Sequence, residues 1–173
     1  MPRTEDDQSR PWVCDMLAAA AFVALLVVDY FVPRGTNRTL HLFGTIALLL
    51  SPLFMFFPFY LLKRHGATDE GAQFFQTTRV VDRGVYAIVR HPQYLGYILL
   101  VLGFALHSQH HLTATIAGVA ILLFYVQSIR EERFCARHLG DEYLAYMQRV
   151  PRFNVLVGSL RYLSRRRQRT GVA

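Results

Sequence analysis

A short segment, residues 83–96, combines side chains that could bind an anion with the expected start of a helix. Arg90 and His91 precede Pro92, and an apolar run follows from Tyr94. Proline is favoured in the first turn of a helix, where its missing N–H costs nothing, so we predict that Pro92 begins a helix. Unpaired N–H groups and the helix dipole attract anions to such an end. Arg90 and His91 would add a guanidinium and an imidazole to that site.

An acidic pair, Glu131 and Glu132, follows the last long apolar segment. A carboxylate there can accept hydrogen bonds from ammonium or hydroxyl groups of a ligand. It can also remove a proton from an amine or a thiol. The pair is therefore a second candidate for chemistry, provided that the fold brings it to the segment around Arg90.

The elements that must position these groups are predicted to be membrane helices. Hydrophobic residues make up 53% of the 173 residues and lie in blocks, which is typical of an integral membrane protein. The net charge of +7 lies mostly at the ends of apolar segments, which favours membrane lipids over nucleic acid as partners. We predict one all-α domain, residues 1–173, in which loop and C-terminal helices form a cofactor site. Its four predicted spans, the last two forming a helical hairpin, are 12–32, 40–62, 94–106 and 112–129.

The distribution of arginine predicts the orientation. Loop 63–93 carries five basic residues and the segment after Ile129 carries ten, whereas loop 107–111 carries none apart from histidine. By the positive-inside rule, residues 63–93 and 130–173 and both termini face the cytoplasm. Both candidate groups then lie on the same side. We expect a bacterial cytoplasmic membrane, or the endoplasmic reticulum if the source is eukaryotic.

Two polar stretches have simpler interpretations. The three histidines of loop 107–111 could bind a metal, but no carboxylate or cysteine supports them, so we favour a polar turn and predict no metal. Five arginines between Arg161 and Arg169 indicate contact with anionic lipid head groups. RNA binding by that tail has no support, since no aromatic platform accompanies the charges.

Three blocks in order resemble the isoprenylcysteine carboxyl methyltransferase family: GVYAIVRHPQYLG, the pair EE at 131–132, and LGDEYLAYMQRVPR. The resemblance covers residues 78–152. Members of this family are membrane enzymes that bind S-adenosylmethionine without a Rossmann domain, and this chain has no G-x-G-x-x-G motif. The resemblance implies methyl transfer from S-adenosylmethionine to a lipophilic or lipidated acceptor, such as the carboxylate of a prenylcysteine.

The resemblance also assigns roles to individual residues. Arg90 and Glu132 are the catalytic candidates, Glu132 as the base if the acceptor is an amine or a thiol. The family has an arginine for its substrate where this chain has Gln127, and Arg130 is the nearest arginine; both are candidate substrate-binding residues. The candidate cofactor-binding residues are Thr78, Arg79, Val80, Val81, Tyr86, His91, Pro92, Gln93, Tyr94 and Glu131.

Other functions stay open. Membrane sterol reductases, which use NADPH, carry a similar R-H-P-x-Y-x-G-D pattern, but Tyr97 stands where their aspartate would be. A methyltransferase could instead act on a phospholipid amine or a small thiol. In a helical membrane protein without enzymatic activity, Arg90 and the glutamates would be an interfacial salt-bridge cluster. For an enzyme, we expect the acceptor to enter sideways from the bilayer, past a second span kinked at Pro52 and Pro58.

Overall fold

The computed structural model describes residues 11–65 and 80–170, which form α-helices and one 3₁₀ turn, Gly84–Ala87. No strand occurs within these two ranges. The all-α prediction is therefore confirmed for this part of the chain. The helices are α1 (Pro11–Phe31), α2 (Arg38–His65), α3 (Pro92–Ser108), α4 (His111–Arg149) and α5 (Val155–Thr170).

Three of the described helices, α1, α2 and α4, are long and apolar enough to cross a membrane. The apolar part of α4, residues 112–129, covers about 27 Å at 1.5 Å per residue, close to the roughly 30 Å of a hydrocarbon core. The charged part of α4 begins at Arg130 and lies beyond this segment. The protein is thus a helical membrane protein. Whether the 17 residues of α3 form a fourth span stays a prediction.

Local sequence signals account for several helix ends. Pro92 is the first residue of α3, as predicted, and the Leu95 N–H donates to the carbonyl oxygen of His91 at 3.1 Å. Asn154 precedes α5, and its side-chain oxygen accepts the Val157 N–H at 3.0 Å, which is the usual contact of an asparagine N-cap. Gly140 interrupts α4 with φ 57° and ψ −137°, a positive-φ conformation that glycine adopts readily.

The chain divides into two compact units. The first unit, Met1–Ser51 with Tyr97–Ile129, joins α2 to α3 through glycines. A Cβ on Gly103 would lie 3.2 Å from the carbonyl oxygen of Gly44, so the two backbones approach closely. Small residues allow such packing between membrane helices.

The ends of these helices are also linked in the first unit. The Gly35 N–H donates to the Ser108 carbonyl oxygen at 2.9 Å, and the side chain of Gln109 both accepts from and donates to the backbone of Asn37. These bonds fasten the segment before α2 to the turn between α3 and α4.

The second unit comprises Pro52–Gly96 and Arg130–Ala173. Its described apolar cluster contains the buried side chains of Tyr143, Tyr146 and Val150, with Val80 packed against them. The Tyr146 hydroxyl donates to the Tyr86 carbonyl oxygen at 2.7 Å and so joins α4 to the 3₁₀ turn. This cluster supports the backbone that carries the candidate site.

Gly158 offers a test of how α5 is held. A Cβ at Gly158 would overlap the carbonyl oxygen of Ile88, whereas a Cβ at Gly118 of α4 would meet nothing within 4 Å. Alanine favours a helix over glycine by about 1 kcal/mol, so Gly118→Ala should leave stability unchanged or raised. Gly158→Ala should cost about 1–3 kcal/mol, the usual cost of overpacking, and loosen α5.

The measurement is the rate of trypsin cleavage after Arg161, Arg165, Arg166 and Arg167, followed by mass spectrometry in detergent. We expect faster cleavage in Gly158→Ala than in the wild type and an unchanged rate in Gly118→Ala. Equal rates in all three proteins would show that Ile88 does not constrain α5.

Candidate active site

A buried carboxylate, Glu132, is the centre of the candidate site in the second unit. Its side chain is 4% exposed, and Oε1 lies 3.0 Å from Nη2 of Arg90 and 3.1 Å from Nε2 of His91. Arg152 donates from Nε to Oε1 at 2.9 Å and from Nη2 to Oε2. A buried charge is costly unless it is paired and hydrogen-bonded, and here both carboxylate oxygens have cationic or imidazole partners.

These partners decide the charge of Glu132. Burial alone would raise the pKa of the Glu132 carboxyl group, but hydrogen bonds from Arg152 and His91 and the charge of Arg90 outweigh it and lower the pKa to about 2. Glu132 is therefore ionised at every physiological pH. Because both of its oxygens are hydrogen-bonded and its pKa is low, Glu132 is a weak proton acceptor. Its contacts fix the positions of Arg90, His91 and Arg152.

The backbone of the site is fixed as well. The Arg90 N–H donates to the Pro151 carbonyl oxygen at 3.0 Å, and the His91 N–H donates to the Arg152 carbonyl oxygen at 3.3 Å. The Nη1 group of Arg90 donates to the Met147 carbonyl oxygen at 3.0 Å. The positive groups at the start of α3 thus receive an anion from the chain itself, the carboxylate of Glu132.

Glu131, unlike its neighbour, faces outward. Its side chain is 48% exposed, and its Oε2 lies 3.7 Å from Nδ1 of His91, too far for a hydrogen bond. An ionised carboxylate only accepts hydrogen bonds, so Nε2 of His91 must carry a proton toward Glu132. In neutral His91, Nδ1 then has a lone pair beside Glu131. This edge of the site can accept hydrogen bonds from an ammonium or from hydroxyl groups.

Aromatic rings surround the imidazole of His91. Ring centroids of Tyr94 and Phe153 lie 5.7 and 6.2 Å from that of His91. His91 and Pro92 are buried, while Gln93 and Tyr94 in the first turn of α3 are half-buried. The predicted run His91 to Tyr94 therefore does lie beside the acidic pair.

The other predicted cofactor-binding residues have different surroundings. Val81 is buried, and Val80 packs against the apolar cluster of this unit. Burial, and then the charge of Glu131, raise the pKa of the Tyr86 hydroxyl, so this group stays protonated and can donate a hydrogen bond. Thr78 and Arg79 lie outside the described residues.

The predicted substrate-binding residues do not share one environment. Gln127 belongs to the first unit, where it is buried and donates from Nε2 to Oδ1 of Asp15 at 2.7 Å. Arg130 is half-buried in the second unit. Their contact with a substrate stays a prediction.

Sequence reasoning missed two of these partners. Arg152 ends the block LGDEYLAYMQRVPR, so a signal existed in the resemblance, although nothing in it linked this arginine to Glu132. Asp15 lies in no motif, and only its contact with Gln127 identifies it.

A cavity of about 340 Å³ also lies in the second unit, at the side of α5 that packs on the rest of the unit. Its lining includes Asp82, Tyr162, Arg165 and Arg166 but neither His91 nor Glu131. The cavity is therefore separate from the acidic edge described above.

Comparison with known proteins identifies the family of the chain. The model of the family described as phospholipid methyltransferase matches residues 39–142, more than half of the chain. The chain belongs to the phospholipid methyltransferase family. The matched range contains α3, its predicted cofactor-binding run, and both glutamates.

Curated relatives confirm the resemblance to isoprenylcysteine methyltransferases. Protein-S-isoprenylcysteine O-methyltransferase B of Arabidopsis thaliana is 32% identical over 74 residues, 42% of this chain and 38% of that protein. The Schizosaccharomyces pombe protein is 32% identical over 73 residues, 42% of this chain and 31% of that protein. The Homo sapiens protein is 38% identical over 80 residues, 43% of this chain and 27% of that protein. The chain thus covers only 27% to 38% of the length of these relatives. No solved structure gives a significant match.

Substituting each glutamate separately tests the structural difference between them. Glu132→Gln removes a buried charge that has three partners, which should cost on the order of 3 kcal/mol of stability. Glu131→Gln alters an exposed group of the same helix and should change stability little. Thermal unfolding of both variants in one detergent measures the difference. Equal losses would contradict the role of Glu132 as the anchor.

The low pKa of Glu132 predicts an acid-sensitive contribution to stability. Because the pKa is lower in the folded protein than the ordinary value of 4.5, the contribution is complete above about pH 4.5 and is lost as the pH falls toward 2. Wild-type stability should decline across this window. Glu132→Gln should lack that part of the decline, and an identical pH profile in both proteins would contradict the assignment.

Proposed function

We propose that the protein is a membrane methyltransferase that uses S-adenosylmethionine and a lipophilic acceptor. The observation that carries the proposal is the exposed carboxylate of Glu131 beside Nδ1 of His91, whose imidazole is held by the buried Glu132. Membership of a family named for methyl transfer supports the same activity. The arginine asymmetry of the sequence supports a site at the cytoplasmic surface of the membrane.

The described residues fit the proposed cofactor. S-adenosylmethionine carries an ammonium group and ribose hydroxyls, which suit the acceptors of Glu131 and His91. Its carboxylate needs a donor, and Nε of Arg90 is buried with no hydrogen-bond partner among the described residues. Tyr86 and Tyr94 can contact the adenine through their rings or donate a hydroxyl hydrogen bond. When bound, the cofactor supplies a methyl group already activated by the sulfonium.

The chain mainly has to align the two reactants and exclude water. Glu132 holds the guanidinium of Arg90 and sets which nitrogen of His91 is protonated, so Glu132, one of the two predicted catalytic residues, has a positioning role. A carboxylate acceptor is ionised at neutral pH and needs no base. An amine acceptor must lose a proton, and Glu131 or Nδ1 of His91 is better suited to receive it than Glu132, whose oxygens are occupied.

A lipophilic acceptor agrees with the apolar surface of the first unit. The first unit contains a groove of about 530 Å³ between α2 and α3, lined by side chains such as Phe43, Leu50, Leu99 and Leu106. Such a groove suits a hydrocarbon chain, and each buried methylene adds about 0.8 kcal/mol to binding. The description of the family indicates a phospholipid acceptor, and the names of the curated relatives indicate a prenylated cysteine.

Binding of the cofactor product tests the proposal most directly. The wild type in detergent should bind S-adenosylhomocysteine in calorimetry and should not bind NADPH. Glu131→Ala should weaken this binding by about 1.5–3 kcal/mol, the scale of a hydrogen bond to a charged group. Glu142→Ala, which alters another exposed glutamate of α4, is the matched control. NADPH binding without S-adenosylhomocysteine binding would replace the proposal by a reductase.

Methyl transfer to defined acceptors separates the acceptor classes. The protein is given S-adenosylmethionine with a labelled methyl group, and either phosphatidylethanolamine vesicles or a farnesylated cysteine derivative. A methyl ester releases its label as methanol in base, whereas an N-methyl group keeps it. A short water-soluble analogue methylated as well as a long-chain acceptor would exclude the lipophilic acceptor.

A further inference from the structure

Helix α5 exposes a stripe of leucines that the second unit does not cover. Leu156, Leu160 and Leu163 are 78%, 68% and 53% exposed. Their spacing of four and three residues puts them on one side of the helix. We call these three residues the leucine stripe.

Contacts on the opposite face fix the direction of this stripe. Gly158 packs against the Ile88 carbonyl oxygen, and Nη2 of Arg165 donates to the Ala87 carbonyl oxygen at 3.1 Å. These residues lie about half a turn from the leucine stripe at 3.6 residues per turn. The leucine stripe therefore points away from the rest of the second unit.

Spanning a membrane does not explain the exposed leucines of α5. The helix has 16 residues, about 24 Å at 1.5 Å per residue, and carries five arginines and no acidic residue. A span needs roughly 20 mainly apolar residues. A solvent-facing surface does not explain them either, since three aligned leucines exposed to water would favour association.

The combination of exposed leucines and arginines in α5 indicates a lipid membrane as its partner. Helices that lie in a membrane interface combine an apolar stripe with a basic polar face, and the basic residues contact anionic head groups. Arg167 continues the line of the leucine stripe, and the exposed Arg166 lies between that stripe and the side that packs on the cavity. Residues 11–65 and 80–170 also contain three helices apolar enough to cross a membrane, so a bilayer is present in the environment of α5.

We propose that α5 lies in the membrane interface, with the leucine stripe inserted into a leaflet that contains anionic lipid. This surface goes beyond the proposed methyl transfer and does not depend on it. The leucines would enter about 5–10 Å into the boundary between head groups and acyl chains, and the exposed side chains of Arg166 and Arg167 would contact the head-group phosphates.

Tryptophan fluorescence in vesicles tests the proposal with the full chain. Trp12 is the sole tryptophan and is replaced by phenylalanine. Leu160→Trp then puts the probe on the leucine stripe, and Gln168→Trp puts it at an exposed position outside the stripe. Each protein is reconstituted in phosphatidylcholine alone and in phosphatidylcholine with phosphatidylglycerol. Brominated acyl chains and aqueous iodide serve as the two quenchers.

We expect bromine to quench Leu160→Trp several-fold more than Gln168→Trp, and iodide to show the reverse order. Adding phosphatidylglycerol should increase the bromine quenching of Leu160→Trp, and high salt should reduce this increase. Strong iodide quenching at both positions would overturn insertion. Equal bromine quenching in both lipid mixtures would overturn the anionic leaflet as the partner. If Leu160→Trp is protected from iodide but loses this protection when the protein is diluted in lipid, the leucine stripe binds a second copy of the chain instead.

Discussion

The burial of one carboxylate organises the second unit. Glu132 of α4 can be buried only because Arg90, His91 and Arg152 surround it. These partners come from the start of α3 and from the segment before α5, so a single charge connects three parts of the chain. Removing a partner from such a group leaves a charge without compensation, which costs far more than an exposed ion pair contributes. The position of every predicted cofactor-binding residue near His91 depends on this cluster.

Two adjacent glutamates consequently have different tasks. Neighbouring residues in a helix point about 100° apart, and here the side chain of Glu132 is buried while that of Glu131 is exposed. The inner carboxylate supplies a fixed negative charge that orients His91, and the outer one remains available to a ligand. The proposed chemistry therefore needs both residues: Glu132 as the buried partner of His91, and Glu131 as the exposed carboxylate that we propose contacts the cofactor.

Much of this arrangement could be predicted from local signals. Pro92 indicates the beginning of α3 and the apolar blocks indicate the long helices, because each signal acts within a few residues. The juxtaposition of the segment around Arg90 with the acidic pair was also predicted, from the arginine asymmetry. The identity of the inner glutamate and the part played by Arg152 could not be predicted, since the pairing of buried charges depends on contacts across the fold. Residues 78 and 79 lie outside the described residues, and the roles predicted for the other site residues stay predictions.

The turn between α3 and α4 restricts which residues homologous proteins can have at position 109. Gln109 has a φ of 53°, a conformation that usually favours glycine, and its amide makes two hydrogen bonds with the backbone of Asn37. Glycine at position 109 would remove the backbone strain but also both hydrogen bonds to Asn37. Most other side chains would keep the strain and lose the hydrogen bonds. Homologous sequences should therefore show either glutamine with this loop geometry or glycine with a different loop before α2. Position 109 and the length of that loop should change together during evolution.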